Sequence, residues 1–333
     1  MFPNKNRTLA FIAVVTMALI IACVRKDNQA VSKKDSVMAS KPVLTKPQWI
    51  IPDTNQIANA EEAKLIKYGH ALIVNTSYYF GPKGIVAHKS NGLNCQSCHL
   101  DAGTKLFGNN FSLVAVGYPR FKERSGTVET VVKKVEDCFE RSLNGSRIDS
   151  NSREMKAFVA YLEWIGKNVK KGTKPVGSGI EEPVFLNRAA DTARGRQVYV
   201  SKCQVCHGKN GEGIANATGT GYTYPPLWGH YSYNIGASIY RLSKFAGYVK
   251  RNMPYKADAA NKLSDGQAWD VAAFVNSQFH PFKKIGGDWP KLATKPYDYP
   301  FGPYADQKFS TNQRKYGPFG PIKKYYAALD KTK

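Results

Sequence analysis

The sequence predicts an all-α fold in which one small helical module occurs twice in tandem, followed by an irregular C-terminal tail. Two observations carry this expectation. The pentapeptides Cys95-Gln96-Ser97-Cys98-His99 and Cys203-Gln204-Val205-Cys206-His207 share the form C-x-x-C-H. Each is preceded and followed by a stretch whose apolar residues recur at helical spacing.

C-x-x-C-H is the attachment signature of c-type haem. Each cysteine adds across a vinyl group as a thioether, and the adjoining histidine approaches iron from the proximal side. A zinc knuckle or redox dithiol would account for one copy, but two copies with candidate sixth ligands downstream point to two covalently bound haem c groups. Cys95, Cys98, Cys203 and Cys206 are therefore read as attachment residues, and His99 and His207 as proximal ligands.

The flanking elements repeat in the same order. Glu61–Asn75 and Ala189–Ser201 read as helices before the two motifs. Glu154–Ile165 and Ser264–Phe279 read as helices after them, the latter opened by a Ser-Asp cap. Each unit thus runs helix, attachment loop, variable loops, distal ligand, helix, the order of a class I cytochrome c-like domain. We divide the chain into residues 58–170 and 188–281 for the two domains, a linker over 171–187 and a C-terminal extension over 282–333. The extension is rich in Pro, Tyr, Phe, Gly and Lys without a periodic element, and is expected to pack over the domains.

The N-terminus reads as an address. Lys5 and Arg7 precede an apolar run from Leu9 to Ile21, long enough for a signal peptide core and short for a membrane span. The run ends at Ala22-Cys23, which resembles a lipoprotein cleavage site. We expect a signal peptide over residues 1–22, lipidation of Cys23, and a polar tether to residue 57. Val24 rather than Asp after the cysteine leans toward the outer membrane where a cell has two. The expected location is the periplasm, held to the membrane by lipid alone.

Composition excludes several classes. The hydrophobic fraction of 42% is ample for packed cores. Six cysteines are too few and too unevenly spaced for a disulfide framework. The net charge of +23 attracts anions, but the basic residues are scattered and no nucleic-acid motif is present, so nucleic acid is not an expected partner.

The distal ligands separate the two modules. In the second, Met253-Pro254 stands before the final helix, and thioether ligation would raise the haem potential; His230 and His280 compete for the role. The first module has no Met-Pro. Cys138 occupies the equivalent place, inside an apolar-periodic stretch from Thr127 to Leu143 that Ser125 or Thr127 could cap. It is the one cysteine used by neither haem nor lipid; His88, His70 and Met155 are alternatives. A thiolate on haem iron would lower the potential and invite reaction with sulfur species. Lys134 and Ser142 lie one turn either side of Cys138, and Arg124 and Arg141 are close in sequence. Clustered cations would hold a thiolate and attract a small dianion.

Asn94–Leu100, Asp137-Cys138-Phe139-Glu140-Arg141-Ser142-Leu143-Asn144-Gly145, Asn252-Met253-Pro254 and Lys315-Tyr316-Gly317-Pro318-Phe319 together resemble the dihaem thiosulfate dehydrogenase family, whose members also run as tetrathionate reductases. The resemblance covers residues 58 to 325 and is most specific at the Cys138 segment. It implies that the first haem is the active site with His99 and Cys138 as ligands, that Arg124, Lys134 and Ser142 bind substrate, and that Met253 ligates the second haem. Lys134 stands where the family often has Arg, which loses the bidentate fork. The implied reaction interconverts two thiosulfates and tetrathionate, exchanging two electrons with a small c-type cytochrome or similar carrier. Competing readings are a sulfur-transfer cytochrome acting on a carrier protein, a dihaem peroxidase and a non-enzymatic dihaem electron carrier.

Overall fold

The computed structural model describes residues 49–53 and 57–330, apart from the Asp330 side chain, and shows two helical domains joined by a laced linker and covered by the C-terminal extension. The leader, Cys23 and nearly all of the tether lie outside the described residues. No helix among the described residues is long and apolar enough to cross a membrane.

The first domain opens with α1 (Ala60–Val74), started by Asn59, whose side chain accepts from the Glu61 and Glu62 amides. The short α2 (Thr76–Phe80) leads to the attachment loop, a 3₁₀ turn over Cys95–Ser97 and the one-turn α3 (Leu100–Gly103). After the one-turn α4 (Val114–Gly117), β1 (Arg120–Lys122) and β2 (Thr127–Glu129) form a hairpin. Next come α5 (Val131–Asp137), a π-helical turn over Cys138–Ser142 and α6 (Arg153–Gly166). The second domain repeats the plan with α7 (Thr192–Lys202), the one-turn α8 (Gln204–His207), the small β3 (Ile214–Ala215) and β4 (Tyr222–Tyr224) pair, α9 (Leu242–Asn252) and α10 (Asp265–Ser277). Ser264 and Gln267 close a capping box on α10.

The two domains solve one packing problem identically. α1 crosses α6 at Gly69, where an added Cβ would collide with the Ala157 carbonyl. α7 crosses α10 at Gly195, where it would collide with the Asp270 carbonyl. Only glycine lets the two backbones approach this closely. Above each crossing lies a core: Leu72, Phe80, Phe139, Phe158 and Ile165 in the first, Tyr199, Phe245, Trp269 and Val275 in the second.

Two expectations are revised. The stretch Thr127–Leu143 is not one helix. Thr127–Glu129 pairs with β1, and Thr130, rather than Ser125 or Thr127, caps α5 by accepting from the Lys133 amide at 3.2 Å. β-branched Thr127 and Val128 suit the hairpin and start the helix later. The C-terminal extension, in turn, is not wholly irregular. It holds α11 (Thr311–Tyr316) and α12 (Phe319–Asp330), and the latter inserts Phe319 and Ile322 into the second core. The 3.6 periodicity of these short helices is masked in sequence by Gly317-Pro318 between them.

The linker is tied down. Gly177 and Gly179 carbonyls accept from the Phe107 and Asn109 amides, and the Val184 carbonyl accepts from Trp269 Nε1 at 2.7 Å. Leu100, one residue past His99, belongs to the core of the second domain. The domains therefore share apolar packing as well as polar links.

Candidate active site

Each C-x-x-C-H motif forms one wall of an apolar cavity. The first cavity is lined by Cys95, Cys98 and His99 of the motif together with Lys134, Cys138 and Ser142. The second is lined by Cys203, Cys206 and His207 together with Met253. All four motif cysteines are free of disulfides.

The donor chemistry fits haem c in both places. His99 Nδ1 meets the Asn109 carbonyl at 2.5 Å, and His207 Nδ1 meets the Pro225 carbonyl at 2.8 Å. A bond at Nδ1 fixes the ring and leaves Nε2 as the iron-facing nitrogen. Phe111 packs on His99 with ring centroids 4.3 Å apart. Burial pushes His99 down to about 4 and also lowers His207, so both imidazoles stay neutral, the form that binds iron.

The alternative distal ligands are placed elsewhere. Met155 is buried in the first core and does not line the cavity. His70 packs edge-on against Tyr161, and neither it nor His88 reaches the cavity wall. In the second domain His280 is buried among carbonyls of Tyr233 and Val275, and His230 packs against Phe279. Cys138 and Met253 are the candidate ligands that line the same cavities as the two attachment motifs.

Cys138 begins the π-turn that ends α5. π-turns open the helix and recur at functional sites; here the turn places Cys138 and Ser142 on the same cavity wall. The nearby Cys138 sulfur raises the Lys134 pKa, outweighing burial, so Lys134 stays cationic inside the site. Arg124 does not line the cavity. It is largely buried, with its Nε 3.6 Å from Asp288, and it acts on Lys134 through the field.

Two residues near the site were not legible in the sequence. Tyr118 lines the first cavity, and Lys122 on β1 stands over its ring at 4.9 Å. Burial and the neighbouring cations Arg120 and Lys134 push Lys122 down to about 8. The run Arg120-Phe121-Lys122 just before Arg124 was the available signal, but only the hairpin brings it beside α5.

The cavities share a wall. Leu93, Asn94 and Cys98 line both, so the second attachment cysteine of the first motif also borders the second haem cavity.

Comparison with known proteins agrees with this geometry. Residues 86–170 match the model of the SoxA/TsdA cytochrome c domain, and residues 192–279 match that of cytochrome c. A thiosulfate dehydrogenase of Stutzerimonas stutzeri is 31% identical over 274 residues, 82% of this chain and 85% of that protein. One of Psychrobacter arcticus is 35% identical over 246 residues, 74% of this chain and 72% of that protein. The chain belongs to the dihaem cytochrome c thiosulfate dehydrogenase family. It carries two covalently bound haem c groups. A solved structure of thiosulfate dehydrogenase (TsdBA) from Marichromatium purpuratum superposes with a TM-score of 0.65 at 26% identity over 71% of this chain. This chain spans 50% of the length of that one.

Proposed function

We propose that this cytochrome-linked thiosulfate oxidoreductase joins two thiosulfates into tetrathionate at the first haem cavity, and that the same site runs the reverse reaction when electrons are supplied. One observation carries the reading: a single cavity gathers a haem attachment pair, His99, and a cysteine flanked by a half-buried lysine and a serine.

Cys138 is the nucleophile. Its thiolate bonds the sulfane sulfur of the first thiosulfate, forming Cys138 Sγ–S–SO3⁻ and releasing two electrons. A second thiosulfate attacks that sulfane sulfur; tetrathionate leaves and the thiolate returns. Bound haem c supplies two one-electron acceptors for this pair. Lys134 offsets the dianion's charge, and the Ser142 hydroxyl donates to a sulfonate oxygen. Arg124 contributes field from behind Lys134. The electrons pass on to a small c-type cytochrome or similar carrier.

In this reading the chain is exported, lipidated at Cys23 and works in the periplasm. Support for that part is the leader pattern of Lys5, Arg7, Leu9–Ile21 and Ala22-Cys23.

The test is a redox assay of the haem-loaded protein with thiosulfate and then tetrathionate, beside Cys138→Ala. Reduction by thiosulfate, or reoxidation by tetrathionate, should fall by roughly 10³-fold or more in the variant. An intact wild type that responds to neither anion would sink the reading and favour a sulfur-transfer cytochrome acting on a protein.

A further inference from the structure

The C-terminal extension places one carboxylate against the back of the first cavity wall. Asp288 accepts from both arms of Arg141, at 2.7 and 2.8 Å, and lies 3.6 Å from Arg124 Nε. All three side chains are largely buried, Asp288 being 8% exposed. The next residues hold the contact in place. The Trp289 amide donates to the Arg124 carbonyl at 2.7 Å, and Pro290 packs so tightly on Gly126 that an added Cβ would come within 2.7 Å of its ring.

The two arginines come from the two ends of the wall that carries Cys138. Arg124 sits in the turn of the β1–β2 hairpin before α5, and Arg141 lies inside the π-turn after it. They are like charges in a partly desolvated setting, and each disfavours the other's approach: burial first, then Arg141, lowers the Arg124 pKa. Asp288 supplies the opposite charge that lets both stay there. The Arg141 fork uses both carboxylate oxygens, so its plane is fixed, and that fixes the side on which Arg124 must lie.

We propose that Asp288 is a positioning residue for the anion-binding wall of the first haem cavity, holding Arg124 near Lys134 through the contact it shares with Arg141 and thereby setting the cavity's affinity for a small sulfur oxyanion. The proposal rests on the thiosulfate reading above. Without the carboxylate the guanidiniums repel, Arg124 turns outward, and its field no longer adds to that of Lys134.

The test measures thiosulfate Kd by calorimetry, together with KM, kcat and the first haem's absorption spectrum, in the haem-loaded protein. Loss of one charge-assisted contact should raise Kd and KM roughly tenfold in Asp288→Asn, with kcat within about twofold and the spectrum unchanged. Asp288→Glu should stay within about threefold of wild type. Asp288→Asn combined with Arg141→Gln removes the buried charge that has lost its carboxylate, which protects folding, and should still raise Kd because Arg124 lacks its carboxylate. An unchanged or lowered Kd in folded Asp288→Asn or in the double variant would overturn the proposal, as would a shifted first-haem spectrum, which would mean an action on Cys138 instead. Wild type that binds thiosulfate without turnover would sink the functional reading while Kd still decides this one. Wild type that does not bind it would sink both.

Discussion

The Tyr248 hydroxyl donates to the carbonyl of Ser97 at 3.3 Å, so a helix of the second domain is bonded to the attachment loop of the first. Tyr248 also lines the second haem cavity, and Ser97 lies between the two cysteines of the first motif. Asn252 adds a second bond from the same helix to the Phe107 carbonyl at 3.1 Å. The relation of the two cavities is therefore held by polar contacts of α9 as well as by Leu100 in the second core.

Tyr248→Phe should keep the ring packing and lose the hydroxyl bond, costing about 1 kcal/mol. A lowered Tm with unchanged haem content would show it. An unchanged Tm would mean that the bond contributes nothing to domain docking.

Gly195→Ala should destabilise the second domain by about 1–3 kcal/mol, because its Cβ has no space against the Asp270 carbonyl and the helices must part. Denaturant unfolding followed at the second haem reads this directly. Stability equal to wild type would refute a close crossing at α7 and α10.

Lys122 is expected to make the site sensitive to pH. Its pKa in the fold, about 8, lies below its ordinary 10.5, so the unfolded chain binds the extra proton between these values. Stability then rises as pH climbs from about 8 to 10.5, where the burial cost of the charge disappears. Function moves the other way. In the folded chain the cation near Lys134 is lost as pH passes through about 8, and KM for thiosulfate should rise about two- to fivefold between about pH 7 and about 9. Lys122→Gln should flatten that rise; a variant with the wild-type pH profile would assign it to another group.

Much of the site was legible because its chemistry is local. A haem attachment loop needs two cysteines and a histidine within five residues, so spacing alone marks Cys95–His99 and Cys203–His207. α1 and α6 were visible because their apolar residues recur at helical spacing, and α10, buried on every side, was marked by its Ser264 cap. Arg124 is the instructive case. Its identity as a cation near Cys138 was readable, but its burial against Asp288 was not, since the partner lies in a loop with no periodicity.

By itself, then, the sequence determined the module, its duplication and the residues that hold haem, because covalent attachment and helix periodicity are short-range properties of the chain. The tertiary structure alone decided three things. It put Cys138, and not His70, His88 or Met155, on the wall of the cavity that the first motif lines. It set the π-turn that puts Ser142 on the same wall. It brought Asp288 across to Arg124 and Arg141. Each joins residues by the folding of distant segments, and sequence spacing carries no information about which distant segments will touch.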